Sequence, residues 1–401
     1  MIKDDMIDIN DRSILKYLLF ASLYFSEGLI WSISSVVILV YLVEKGISEP
    51  VATLAAGIVM SPWILKFIWG PITDYFIKFG RRKFILIGGT VGAVGFFIIA
   101  FIDPIVALIP FTIILFISHV GVGFLDVSAD AWAIEISKYE ERGKINGTMF
   151  AGIFVGYAVG APLFSFIAQF FSINFSFLVA GLIVVLIIIF PLLVKETKRI
   201  RKRQKIAKLL YDEFKKRNTQ LVSFFSVLIY INIGILMFVV PLYMTCVLHL
   251  EMVHIGLIAA IFPITMIIGS LVGGVLTDIW GRKIIIYIFV IPSIFFSAAF
   301  IYADTWMILA VIYGMIGFLH GAYNVAVLAI YMDITNPKIG ASQFSFLTSF
   351  GNVGEVGIGN TFSGTLVTML GFSRVFLYSA WIFGPALLVL NVIKLKHKPR
   401  K

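Results

Sequence analysis

Twelve long apolar stretches, separated by short polar segments, constrain this chain more than any other feature of its sequence. Each is long enough for a helix to cross a hydrocarbon core of about 30 Å. Of the 401 residues, 60% are hydrophobic and 13% are charged, which leaves too little polar surface for a water-soluble globule. The stretches lie at 16–43, 49–75, 84–102, 104–135, 145–170, 172–194, 220–248, 252–279, 284–302, 304–333, 340–369 and 372–394.

The lysines and arginines predict the orientation of these spans. Of the 32, 29 lie at the N-terminus, in the C-terminal tail or in every second loop. Cytoplasmic loops keep positive charge, so we predict a multi-pass plasma-membrane protein with both termini in the cytoplasm. We expect the first stretch to be retained, because it is longer than the apolar part of a signal peptide. The net charge of +10 therefore reflects topology in a lipid bilayer, and we predict no nucleic-acid partner.

A short pattern occurs twice, after the second stretch of each set of six. Gly70-Pro-Ile-Thr-Asp74 precedes Gly80-Arg81-Arg82-Lys83, and Gly274-Val-Leu-Thr-Asp278 precedes Gly281-Arg282-Lys283. The alignment also places Glu135 over Asp333. An internal repeat of this kind predicts an all-α membrane protein of twelve transmembrane helices, arranged as two pseudo-symmetric six-helix bundles. The predicted domains are 1–194 and 220–401, the second ending in a basic tail.

The segment 195–219 joins these halves and contains eleven basic residues. Ile206, Leu209, Leu210 and Phe214 recur in it at helical spacing. One interpretation is an amphipathic helix on the inner leaflet. The other is a solvated cytoplasmic linker, and the pattern leaves both open.

The twelve spans, the basic central loop and the duplicated glycine-aspartate-arginine pattern resemble the major facilitator superfamily. The resemblance implies transport by alternating access, with the two loops latching the inner face. It gives the role of latch to Asp74 with Arg81 and Arg82, and to Asp278 with Arg282. The glycines at 70, 80, 274 and 281 complete the two predicted gate loops.

Charged residues inside membrane spans are costly and mark pathways, proton sites or structural ion pairs. Glu27, Lys66 and Asp126 lie on three helices, each about 15 Å from the predicted cytoplasmic end, which predicts one cluster. Asp130 and His119 share a face of the fourth span with Asp126. With one cation for three carboxyl groups, we predict proton coupling through Asp126 or Glu27. The alternative is a fixed ion-pair network.

The second half is more neutral, with Glu355 near the middle of the eleventh span. His320, Tyr323 and Asn324 lie on the tenth. Polar groups near the midplane are suited to hydrogen-bonding a polar substrate. The alternative for each is a hydrogen bond to a neighbouring helix.

A narrower resemblance covers the second to fifth spans. The segments Pro62-Trp-Ile-Leu-Lys66-Phe-Ile-Trp-Gly70-Pro-Ile-Thr-Asp74 and Leu125-Asp126-Val-Ser-Ala-Asp130-Ala-Trp132 look like stretches of the muropeptide permeases and acetyl-coenzyme A transporters. This implies functional roles for Lys66, Asp126 and Asp130, and a large polar solute that is often anionic. Leu125 stands where that group has glutamine, and the two extra helices of many muropeptide permeases are missing.

We therefore predict a proton-coupled secondary active transporter of a polar organic solute, with anionic solutes included. The alternatives are an exporter of amphipathic or aromatic compounds and a substrate sensor that does not transport. We predict no enzymatic activity, no catalytic residue, no cofactor and no metal site, since the single cysteine excludes a cysteine-based zinc cage. No phosphate-binding G-x4-G-K-[ST] loop is present, so no ATP is implied. We expect a monomer.

Overall fold

The computed structural model describes residues 7–9, 13–137, 142–196, 206–336 and 339–395. Within these ranges the regular structure is helical, apart from a short main-chain pairing of Ile7 with Leu193 and Lys195, at 2.9 Å in both hydrogen bonds. Eleven helices there are long and apolar enough to cross a membrane. Helices 1 to 10 and helix 12 are Ile14–Glu44, Glu49–Thr73, Arg81–Ile99, Leu108–Ile136, Lys144–Phe170, Ile173–Leu193, Arg217–Cys246, Met252–Trp280, Arg282–Tyr302, Trp306–Ile334 and Phe372–Val392.

Helix 11, the remaining predicted span, is one continuous helix made of three segments. It begins as the α-helix Gly340–Asn352, widens into the π-helix Val353–Asn360 and ends as the α-helix Thr361–Leu370. Helix 1 also contains a π-helical segment, Ile33–Ile38. The all-α architecture of twelve spans is thus confirmed.

The helices group by their contacts into two compact units. The first unit contains residues 1–38 and 58–203, and the second contains residues 39–57 and 204–401. In the first, helix 1 packs on helix 5, helix 4 on helices 2 and 3, and helix 3 on helix 6. In the second, helix 7 packs on helix 11, helix 10 on helices 8 and 9, and helix 9 on helix 12. Each pairing in the first unit recurs in the second between helices numbered six higher, as expected for a duplicated bundle.

Glycines allow the closest of these helix contacts. A methyl group on Gly156 of helix 5 would lie 2.2 Å from the carbonyl oxygen of Phe25 in helix 1. In the second unit, one on Gly234 of helix 7 would lie 2.1 Å from the carbonyl oxygen of Glu355. Small residues let membrane helices approach backbone to backbone. Larger residues at either position would therefore separate the helices that carry the polar groups described below.

Part of helix 2 belongs to the second unit. Thr53 Oγ1 accepts a hydrogen bond from the backbone N–H of Gly364 in helix 11, at 3.2 Å. One turn along, Gly57 packs against Thr361. The sequence predicts a single boundary between the halves, at 195–219. The contacts in the structure also assign residues 39–57, from the first half of the chain, to the second unit.

The segment between helices 6 and 7 contains a short helix, Ile206–Phe214, which we call the linker helix. Its Phe214 ring packs against Phe346 and Phe350 of helix 11, with ring centroids 5.4 and 6.2 Å apart. Its buried Glu213 accepts a hydrogen bond from Asn336 at 2.7 Å. This side of the linker helix therefore contacts protein rather than lipid. Residues 197–205 lie outside the described part of the chain.

Candidate functional site

The first unit contains a charged cluster deep within its spans. Lys66 Nζ lies 2.6 Å from Asp126 Oδ2 and 3.7 Å from Glu27 Oε1. Asp126 is fully buried and Glu27 almost so, whereas the Lys66 side chain is 20% exposed. Helices 1, 2 and 4 each supply one member. The structure thus brings together the three residues that the sequence predicts at equal depth.

The break in helix 2 sets the position of Lys66. Ser61–Trp63 forms a 3-10 turn with Pro62 in its first turn, and a new α-helix begins at Lys66. Proline is suited to the start of a helix because it has no N–H to leave unpaired. The turn also places the Trp63 ring 4.7 Å from Lys66 Nζ, a distance at which the ring attracts the ammonium.

The cluster has fewer hydrogen-bond donors than it needs. The carboxyl groups of Glu27 and Asp126 adjoin each other. Within the described residues, Oε2 of Glu27 and Oδ1 of Asp126 are buried and receive no hydrogen bond. Two adjoining carboxylates repel each other, and the single ammonium of Lys66 cannot neutralise both. One additional proton would supply both the missing charge and a missing donor.

Asp130 extends this cluster by one turn of helix 4. The hydroxyl of Tyr24, from helix 1, donates a hydrogen bond to Asp130 Oδ1. Tyr24 is buried and Asp130 half-buried. The charges of Glu27, Asp126 and Asp130 all act on the Tyr24 hydroxyl. Tyr24 was not among the predicted site residues, because a lone tyrosine in an apolar helix carries no distinctive sequence signal.

His119 lies on the predicted face of helix 4 but forms its own contacts. Its Nε2 is 2.9 Å from Ser34 Oγ, in the π-helical segment of helix 1, and its Nδ1 is 2.9 Å from the carbonyl oxygen of Leu115. Both ring nitrogens are thus occupied by groups other than the charged cluster. The histidine fastens helix 4 to helix 1.

The predicted polar residues of helix 10 form two hydrogen bonds in the second unit. His320 Nδ1 lies 2.6 Å from the hydroxyl of Tyr323. Asn324 Oδ1 accepts a hydrogen bond from the hydroxyl of Tyr230 in helix 7. Each unit therefore has a tyrosine of its first helix bonded to a polar side chain of its fourth. Tyr230, like Tyr24, is not among the site residues predicted from the sequence.

Glu355 lies in the π-helical segment of helix 11 and is half-buried. Among the described residues it forms no hydrogen bond and no ion pair. Its charge acts on the hydroxyl groups of Tyr230 and Tyr323. The structure therefore gathers Glu355 with the polar residues of helix 10, without giving it a counter-ion.

The gate loops of the two units share their backbone geometry. Gly80 and Gly281 each begin the following helix with a positive φ, +86° and +87°. Residues with a side chain rarely adopt this conformation, so glycine is required at both places. Before each loop, Gly70 of helix 2 packs on Val127 of helix 4, and Gly274 of helix 8 packs on Val325 of helix 10.

The arginines of these loops pair with the ends of helices 4 and 10. Arg81 donates to Glu135 Oε1 from Nη2 at 2.9 Å, and Arg282 Nε donates to Asp333 Oδ2 at 3.0 Å. The sequence alignment places Glu135 over Asp333 without assigning them this role. Equivalent ion pairs therefore occur in both units.

The structure describes two of the remaining predicted latch residues, Arg82 and Asp278. Arg82 donates to the carbonyl oxygen of Val194 at 2.7 Å. Asp278 is exposed and, in the described ranges, has no ion pair or hydrogen bond, because Arg282 turns to Asp333. The side chain of Asp74 lies outside the described residues.

The arrangement offers an ionisable cluster and polar side chains rather than catalytic groups. In the described part of the chain, no three His, Cys, Asp or Glu side chains are grouped to hold a metal ion. The cluster can exchange protons and bind a charged solute.

Comparison with known proteins agrees with the duplicated fold. The family model described as Major Facilitator Superfamily matches twice, over residues 20–228 and 222–401. A crystal structure of a mutant of the nucleoside transporter NupG superimposes with a TM-score of 0.73 at 16% identity, covering 94% of this chain and 99% of that one. A D-xylose-proton symporter gives a TM-score of 0.75 at 17% identity, covering 98% and 99%. No curated protein sequence matches significantly. The chain belongs to the major facilitator superfamily and is a multi-pass membrane transporter rather than an enzyme.

Proposed function

We propose that this protein is a proton-coupled secondary active transporter of a polar organic solute. The observation that carries the proposal is the cluster in which Lys66 lies between Asp126 and Glu27, at 2.6 and 3.7 Å. We place the protein in the plasma membrane as a monomer, with both termini in the cytoplasm. The two halves alternate the access of one solute site, without ATP.

Charge balance supports the coupling. Glu27, Asp126 and Asp130 give three carboxyl groups for one lysine, so the fully ionised cluster has an excess of negative charge. Uncompensated charge inside a membrane protein is costly, and carboxyl groups there serve proton transfer in pumps and transporters. Proton uptake by Asp126 removes the main partner of Lys66. The ammonium then keeps only the more distant Glu27, at 3.7 Å, and can pair with a carboxylate or phosphate of the solute.

The solute class rests on two further likenesses. Two similar structures are those of a nucleoside transporter and a D-xylose-proton symporter, both named for polar solutes. The segment around Lys66, Asp126 and Asp130 resembles transporters of muropeptides and acetyl-coenzyme A. Large, polar and anionic organic solutes are therefore the first candidates.

A thermal-shift screen of the purified protein at two pH values tests the solute class. The panel contains muropeptides, acyl-coenzyme A, sugar acids, peptides and cationic dyes, since a ligand of the folded state raises its melting temperature. We expect stabilisation by polar anions, weakened in Lys66→Ala. Stabilisation by hydrophobic cations alone would contradict the proposal and support the exporter alternative.

Proteoliposomes loaded with the stabilising solute then test the coupling. Asp126→Asn should abolish accumulation driven by a pH gradient and keep solute exchange. Asp304→Asn, at an exposed position before helix 10, is the matched control and should transport normally. Loss of exchange together with poor folding in Asp126→Asn would favour a fixed ion-pair network. Binding without any flux in the wild type would indicate a sensor.

A further inference from the structure

Glu355 is a carboxylate within the membrane, and helices 7 to 11 offer it no cation between their ends. The sequence has no lysine or arginine at 218–281, 284–337 or 339–373, which together contain helices 7 to 11 apart from their basic ends. The structure gives Glu355 no ion pair or hydrogen bond among the described residues. A lone carboxylate at this depth is costly unless something from outside the protein compensates it.

The neighbouring hydrogen-bonding groups are already engaged. The Tyr230 hydroxyl donates to Asn324, and the Tyr323 hydroxyl is bonded to His320. The amide of Asn360, in the orientation that satisfies its partners, donates to the carbonyl oxygens of Glu355 and Gly234. The carboxylate itself is left able to accept hydrogen bonds. Because Glu355 is only half-buried, its oxygens remain reachable.

Aromatic rings accompany this carboxylate. The Tyr230 ring lies against helix 11 one turn before Glu355, where a methyl group on Gly351 would be 3.1 Å from it. The His320 ring lies 6.1 Å from that of Tyr230 and 4.9 Å from that of Tyr323. Phe262 adds a ring 5.9 Å from His320. Aromatic faces attract organic cations, and a carboxylate beside them adds a full negative charge.

We propose that the accessible carboxylate of Glu355, beside the buried rings of Tyr230 and Tyr323, is a binding site for an organic ammonium group. The inference rests on the proposed transport function and narrows its solute to polar compounds that carry an amine in addition to an anionic group. A hard metal cation is a poor alternative, because it requires six or more oxygen ligands and the site has one carboxylate. The remaining alternative is that Glu355 only binds a proton.

The test measures binding of matched cationic and neutral probes to the purified full chain. Choline and benzyltrimethylammonium are compared with 3,3-dimethylbutan-1-ol, the neutral analogue of choline, by thermal shift against sodium chloride of equal ionic strength. We expect at least one cation, and not the neutral analogue, to stabilise the wild type. Glu355→Gln should raise the Kd of that cation at least tenfold. The control Glu251→Gln, at an exposed carboxylate, should leave the Kd within twofold.

Two results would overturn the inference. One is that no ammonium compound stabilises the wild type, and the other is that Glu355→Gln binds the cation as tightly as the wild type. If Glu355→Gln does not fold, Tyr323→Leu replaces it and should weaken benzyltrimethylammonium at least fivefold; unchanged binding would again overturn the inference. Proton-driven uptake that persists in either case would leave the proposed function standing, because that assay depends on Asp126.

Discussion

At the scale of single residues, Lys66 is surrounded by more negative charge than it can neutralise. Asp126 has no exposed surface, so its charge depends on Lys66 rather than on water. Removing one partner of a buried pair costs more than removing both, because a single deletion leaves a bare charge in a low-dielectric site. The two carboxyl groups beside Lys66 strengthen this asymmetry.

A double-mutant cycle tests that dependence. Lys66→Ala should lower the free energy of unfolding by about 3 kcal/mol, through the carboxylates left without a cation. Adding Asp126→Asn should recover part of this loss, because the variant then buries one charge fewer. Chemical unfolding in detergent measures both. Additive losses would show that Lys66 and Asp126 do not depend on each other.

At the scale of elements, the linker helix is held by its last turn. Burial alone would raise the pKa of Glu213, but hydrogen bonds from Lys216 and Asn336 lower it below its ordinary 4.5. Lys216 and Asn336 therefore bind the ionised form of Glu213. The contribution of Glu213 to stability is complete above its ordinary pKa. It is lost as the pH falls through the lowered pKa of the folded state.

Glu213→Gln should loosen the linker helix from the segment before helix 11, where Asn336 lies. A buried hydrogen bond to a charged group contributes about 1.5–3 kcal/mol, so amides of residues 206–214 should exchange about tenfold faster or more at pH 7. Hydrogen-exchange mass spectrometry measures the rate. Asp212→Asn, on the exposed side of the same helix, is the control and should change little. The wild type should approach the variant only below pH 4.5. Equal exchange in both variants would show that Phe214 packing alone holds the helix.

At the scale of the whole molecule, the two units repeat one plan with different burial. Arg81 and Glu135 are 2% and 9% exposed, whereas Arg282 and Asp333 are 28% and 33% exposed. Water screens the second pair and not the first. The same ion pair is thus structural in one unit and weak in the other.

The two pairs provide their own comparison. Glu135→Gln should destabilise the protein by about 3 kcal/mol, because it takes a carboxylate away from a buried guanidinium. Asp333→Asn should cost less than about 1 kcal/mol, as expected for an exposed pair. Thermal unfolding of the two variants side by side measures the difference. Equal losses would mean that burial does not decide the value of this pair.

The membrane orientation is a further prediction for the whole chain. Cys246→Ser removes the single cysteine, so one new cysteine can be labelled at a time. In this background, Lys45→Cys should react with an impermeant maleimide on intact cells. Lys208→Cys should react only after the membrane is opened. Both positions are exposed, and the reverse pattern would invert the proposed topology.

The twelve spans and the depth of Glu27, Lys66 and Asp126 could be predicted because each depends on distance along a helix. Periodicity also placed His119 on the face of Asp126. However, two residues on the same face of a helix point in the same direction without being in contact. His119 and Asp126 are two turns apart. The histidine therefore meets Ser34 instead.

The partners supplied by other helices could not be predicted. Tyr24, Tyr230 and the bond from Arg81 to Glu135 depend on how separate helices pack. The sequence alignment of Glu135 with Asp333 shows equivalence and not contact. The π-helical segment around Glu355 was also missed, because an apolar run has the same length whichever hydrogen-bonding pattern it adopts.

That π-helical segment, Val353–Asn360, also marks where helix 11 can lose a residue. Its hydrogen bonds span five residues instead of four, so the segment contains one residue more than the α-helical path requires. A single deletion there would restore regular α-helix and preserve the register on both sides. The same deletion in helix 10 would rotate everything beyond it by about 100°. Related chains that differ by one residue in this helix would therefore be expected to differ at Glu355 and its neighbours.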